Sequence, residues 1–163
     1  MFRALVICSL LGGCFELNEP TPQDPRCPKN WDFDLTMDGQ CRPPDGYTAL
    51  LFAEFGGSGI YGFARTNTIC GGADDETCGP EMLGDLAIEL YLPDDVVNHT
   101  IRVGAIPVAA SQTSQAGVYK MQAEPGEYVI TCTDPFDDGL VTGGAEVKTD
   151  AVALYAIDLD HRR

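Results

Sequence analysis

Leu86-Ala87-Ile88-Glu89-Leu90-Tyr91-Leu92 is the stretch that decides the fold class of this chain. Large aliphatics stand at every second position, 86, 88, 90 and 92, with Ala87, Glu89 and Tyr91 between them. Successive side chains of a strand point to opposite faces, so this spacing gathers the aliphatics on one face of a strand. Pro80, at a possible helix start upstream, makes a helix the rival reading. Downstream, Pro93-Asp94-Asp95 turns the chain, and His99 to Val108 is expected as a strand with Ile101, Val103 and Ala105 on one face. Ser111 to Ala116 is small and polar, a loop. Gly117 to Ala123 and Glu127 to Thr133 are expected to pair as a hairpin about Glu124-Pro125-Gly126, because Pro-Gly is a strong turn signal. Ala145 to Lys148 and Val152 to Asp158 are expected to pair across Thr149-Asp150.

Upstream, Tyr47 to Phe55 is almost wholly apolar and reads as a central strand. Gly56-Gly57-Ser58-Gly59 interrupts it, and Ile60 to Ile69 resumes as its hairpin partner. The outcome is eight short strands and no helix, spaced by about 8–15 residues, which predicts an all-β, antiparallel β-sandwich with a β-barrel as the alternative. Within it, Pro125-Gly126-Glu127-Tyr128-Val129-Ile130 resembles the Pro-Gly-x-Tyr-x-Val turn and strand of prealbumin-like sandwich modules, including carboxypeptidase regulatory-like domains. That resemblance implies a sandwich and transfers no functional residue.

The N-terminus has a different character. Arg3 precedes an apolar run from Ala4 to Leu11 that is too short to span a bilayer, for which a helix needs about 20 apolar residues. Leu11-Gly12-Gly13-Cys14 follows, and no acid occurs before Glu16. The stretch resembles a bacterial lipoprotein signal, whose lipobox is a leucine, two small residues and the cysteine that becomes the mature, acylated N-terminus. The resemblance implies a signal peptide over residues 1–13, lipid on Cys14, and an envelope location held at the membrane by that lipid. Phe15 after the cysteine, where some bacteria use aspartate for inner-membrane retention, points to the outer membrane. Residues 14–26 hold Pro20, Pro22 and Pro25 and read as a disordered, semi-extended tether. Residues 27–46 read as a small disulfide-closed segment containing Trp31, with a turn at Asp38-Gly39. Residues 47–163 are the acidic sandwich domain.

The formal charge of the 163-residue chain is -15, and Arg3 is the only charged residue in the excised leader. Such acidity excludes nucleic acid as a partner class. An envelope protein or cell-surface partner fits it. Of seven cysteines, Cys8 leaves with the leader and Cys14 is taken by lipid. In an oxidising compartment the remainder are expected as disulfides, and short loop closures favour Cys27–Cys41 and Cys70–Cys78. Cys132 is then a buried thiol in a strand; its pairing with Cys70 or Cys78 is the rival.

Motifs that would carry chemistry lack their context. Gly57-Ser58-Gly59-Ile60-Tyr61-Gly62 has the glycines of a dinucleotide loop, but a strand follows where a helix must begin. His99 and His161 are expected in solvent. Asp32, Asp34 and Asp38 depart from EF-hand spacing, since Met37 stands where glycine is needed. The acidic loops with Asp74, Asp75 and Glu76, and with Asp134, Asp137 and Asp138, are candidates for calcium if they converge at one end of the sandwich. No cofactor is otherwise implied. The expected function is a lipid-anchored, non-enzymatic binding or structural module. Its alternatives are an envelope hydrolase using loop carboxylates and a calcium-dependent adhesion module.

Overall fold

The computed structural model describes residues 7–9, 13–15, 26–34, 40–69 and 80–162. Ile7–Ser9 (β1) and Gly13–Phe15 (β2) pair antiparallel as a two-stranded sheet of their own, with Cys8 opposite Cys14. Leu11 and Gly12 of the lipobox, and residues 16–25 of the tether, lie outside the described residues. Asp32–Asp34 (β3) and Gln40–Arg42 (β4) form a second small hairpin, and the Cys27–Cys41 disulfide closes it as expected.

Tyr47–Phe55 is a helix, α1, and not the expected strand. An unbroken apolar run does not reveal its own period, which is why the two readings compete in the sequence. Ala49, Leu50, Leu51, Ala53 and Glu54 are good helix formers, and Thr48 is the sole β-branched residue. Gly56 ends the helix in the left-handed region at φ 67°, its N–H donating to the Phe52 carbonyl. Leu51 is buried and Tyr47, Phe52 and Phe55 are partly so, a helical stripe laid on the sheet beneath.

Beyond α1 the chain builds two sheets. The first runs β10-β7-β12-β13 and is wholly antiparallel, from Ala109–Gln112, Ala87–Tyr91, Gly126–Thr133 and Leu140–Val147. The second runs β11-β5-β14, from Val118–Gln122, Gly59–Ile69 and Val152–Arg162, with β6 (Pro80–Met82) also on β5. Here β11 and β6 are antiparallel to β5, whereas β14 is parallel to it. The sheets are not closed into a barrel. Ile60, Ile88, Leu90, Tyr119 and Ile130 meet between them in one buried core, a sandwich. Each such side chain contributes about 1.5–3 kcal/mol of hydrophobic stabilisation.

Strand β5 is buried on both faces. Ile60 and Ala64 enter the sandwich, while Tyr61 and Phe63 face outward against the N-terminal hairpin and α1. Trp31, 6% exposed, stands edge-on to Tyr47, Tyr61 and Phe63 at centroid distances of 5.7, 5.8 and 5.7 Å. The disulfide segment is thus a third layer whose apolar contacts run into the sheet.

Two expected hairpins are corrected. Strands β11 and β12 exist where the sequence places them, but they belong to opposite sheets. The Pro-Gly turn carries the chain across the sandwich. The same holds for β13 and β14 about Thr149-Asp150. Both arrangements bury the same alternate residues, Tyr119 and Met121 on β11 and Tyr128, Ile130 and Cys132 on β12, so alternation does not choose between them. The expected strand from His99 to Val108 shrinks to Thr100–Ile101 (β9), paired with Val96–Val97 (β8) across Asn98 and His99 at φ 49° and 56°. Two consecutive left-handed residues make the tight turn of a two-residue hairpin. Gly104, at φ 86°, then breaks the strand and leaves Val103 and Ile106 in solvent, at 106% and 80% exposure. Ser111 and Gln112, expected in a loop, belong to β10. Leu92 lies past the end of β7 and is exposed, whereas Leu86, Ile88 and Leu90 are buried as the alternation requires.

Candidate functional site

Cys70, Asp74, Asp75, Glu76 and Cys78 all lie outside the described residues, as does Asp38. Asp134, Asp137 and Asp138 lie on the β12–β13 turn, where the carboxylates of Asp134 and Asp137 serve the turn itself. The Asp134 carboxylate accepts the Phe136 N–H at 2.9 Å, and that of Asp137 accepts the Gly139 N–H at 2.8 Å. The Asp134 carbonyl accepts the Asp138 N–H at 3.0 Å. Among the described residues no three His, Cys, Asp or Glu side chains gather as metal ligands. The glycine motif joins α1 to β5, with the helix before the loop instead of after it. His99 is exposed, and its Nδ1 stands 2.6 Å from the Thr142 hydroxyl.

Sequence reading overlooked a cleft of about 240 Å³ at the open side of the sandwich, where β13 ends one sheet and β14 ends the other. Its apolar floor comes from Ile130, Val141 and Ile157, and its lips from Thr142, Ala156 and Asp158. Tyr155 closes the inner end, its hydroxyl lying where a side chain at Gly143 would begin. The cleft owes its shape to two glycines. At Gly62 the missing side chain lets Tyr119 cross β5 and donate its hydroxyl proton to the Tyr155 carbonyl at 2.7 Å. The only sequence signal for the cleft is the pairing of Gly143-Gly144 with the lone tyrosine of the last strand, Tyr155, visible in retrospect.

The ionisable groups of the cleft are neutral or paired. Burial, with the Asp134 carboxylate adding to it, pushes the Cys132 thiol up to about 11. A thiol nucleophile needs the opposite shift. Burial also raises Tyr155, and the neighbouring Cys132 adds to it. Asp158 is held by the Arg65 guanidinium in a salt bridge, and Arg65 donates in turn to the Arg26 carbonyl at 2.8 Å. This pair fastens the cleft's lip to the disulfide segment. A wider opening of about 340 Å³ lies beside that segment, between Pro43, Pro44, Asp45 and Tyr61.

No protein-family profile matches the chain, nor does any curated protein. Among solved structures, "The Bacillus anthracis TIE protein" matches 63% of this chain and 18% of its own length, at 15% identity and a TM-score of 0.39. The chain therefore spans less than a fifth of that protein. Among the described residues no helix is long and apolar enough to cross a membrane.

Proposed function

We propose that this chain is a lipid-anchored bacterial envelope protein whose acidic sandwich is a non-enzymatic binding or structural module, held at the outer membrane through Cys14. The lipobox Leu11-Gly12-Gly13-Cys14 carries the anchor. What supports the module is the state of the cleft between β13 and β14, in which the thiol is held protonated and the carboxylate is tied to Arg65. General acid–base or nucleophilic chemistry calls for a group poised to transfer a proton or attack, and neither group is so poised. The sandwich interior itself is filled by side chains, which leaves edges and loops for recognition.

The test is the intact mass of the full chain produced with its own leader in a Gram-negative host, before and after reduction. The expected product begins at Cys14, carries acyl mass and sits in the outer-membrane fraction, while Cys14→Ser remains unprocessed and non-acylated. The mass gained on reduction is expected to match two disulfides, Cys27–Cys41 and Cys70–Cys78. A wild-type product that begins at Met1 without lipid overturns the anchored reading.

A further inference from the structure

We propose that the cleft between β13 and β14 is a strand-acceptor site, where an extended, cation-flanked segment of a partner protein adds to the free edge of β14. The proposal rests on the module reading above and names the partner chemistry of the same site. The backbone direction comes from two contacts. The Ala151 carbonyl accepts the Gly59 N–H at 3.2 Å, and the Tyr155 carbonyl accepts the Tyr119 hydroxyl across β5. Carbonyls at 151 and 155 thus face β5. In a parallel ladder alternate residues turn their amides to opposite sides, so those of Leu154, Ala156 and Asp158 face the open side. No described strand pairs with them.

This edge is built unlike a protected one. Sheets guard their edges with lysine, proline or bulges, and the opposite edge of the same sheet carries Lys120 on β11. Val152 through Ile157 has neither charge nor proline. An incoming strand therefore finds backbone partners at Ala156 and Asp158 and, on alternate residues, an apolar floor at Ile130, Val141 and Ile157. Charge chooses the occupant. A second copy would bring another -15 against the first, whereas a strand flanked by lysines is drawn to this surface.

The probe is the blocked peptide Lys-Lys-Val-Thr-Val-Thr-Val-Lys-Lys, added to the full chain in detergent micelles and followed by amide exchange. Saturable binding below about 1 mM is expected, with exchange at Ala156 and Asp158 slowed at least about tenfold. Ala156→Pro removes a donor that the β5 ladder does not use, so it is expected to melt near the wild-type temperature and to bind at least about tenfold more weakly. The same peptide N-methylated on its valines and threonines is expected not to bind wild-type protein, because whichever way the strand runs its amides toward β14 are blocked, a readout that needs no variant to fold. Equal binding by the methylated peptide, or no binding by the parent, overturns the site. Slow exchange at Ala156 without peptide, in a chain that sediments as a dimer, assigns the edge to a second copy and overturns the chosen partner. Cleavage of the bound peptide overturns the non-enzymatic reading, whereas an acylated chain that ignores the peptide overturns the acceptor site alone.

Discussion

Gly62 and Tyr119 show how much one missing side chain holds in place. A methyl at position 62 runs into the Tyr155 backbone and the Tyr119 hydroxyl, so Gly62→Ala is expected to cost on the order of 3 kcal/mol, read by urea unfolding; an unchanged midpoint would contradict the crossing. Cys132 supplies a pH test. Its folded value of about 11 lies above the ordinary value of 9.0, and Tyr119 is raised in the same sense by burial. The unfolded chain therefore releases these protons first as pH rises. Stability is full below about pH 9 and declines from there toward pH 11 and beyond. Thermal melts from pH 8 to 11 are expected to show that decline, shallower in Cys132→Ala relative to its own value at pH 8. The thiol was legible in the sequence as a buried strand residue, because its neighbours Ile130 and Val129 are strand formers. Gly62 was legible only as part of a glycine motif, since what it accommodates, Tyr119, lies far along the chain.

At the level of elements, the disulfide segment and α1 together cover one face of β5. The Cys27–Cys41 bridge spans 14 residues, and closing such a loop is worth about 3 kcal/mol. Reduction, or Cys27→Ser with Cys41→Ser, is expected to lower stability by about that amount and to expose Trp31, shifting its fluorescence to longer wavelength before the sandwich unfolds. Coincident transitions would instead make the segment inseparable from the sandwich. Its cysteine spacing made the Cys27–Cys41 closure readable in advance, but not the packing of the segment on β5. The helix was not readable, because Tyr47 to Phe55 is apolar on nearly every position and only contact with Tyr61 and Phe63 selects the buried stripe.

For the whole molecule, a formal charge of -15 opposes compaction by self-repulsion. Raising salt screens that repulsion, and moving from about 0.02 to 0.5 M sodium chloride is expected to add about 1 kcal/mol, or about 2–4 °C in Tm; a melting temperature indifferent to salt would mean that the charges are already compensated locally. The sandwich was predictable because alternation at Leu86, Ile88 and Leu90, and at Tyr128, Ile130 and Cys132, is a local property of strands with one buried face. Which strands lie side by side was not, since β11 with β12, and β13 with β14, bury identical residues whether they pair or oppose each other across the core. By itself, then, the sequence determined the β-rich class, the Cys27–Cys41 staple and the likeness to an export and lipidation signal, each written in short-range spacing. Only the tertiary structure decided the helix over β5, the parallel placement of β14 and the open cleft beside it, because these depend on long-range packing between residues that no local pattern links.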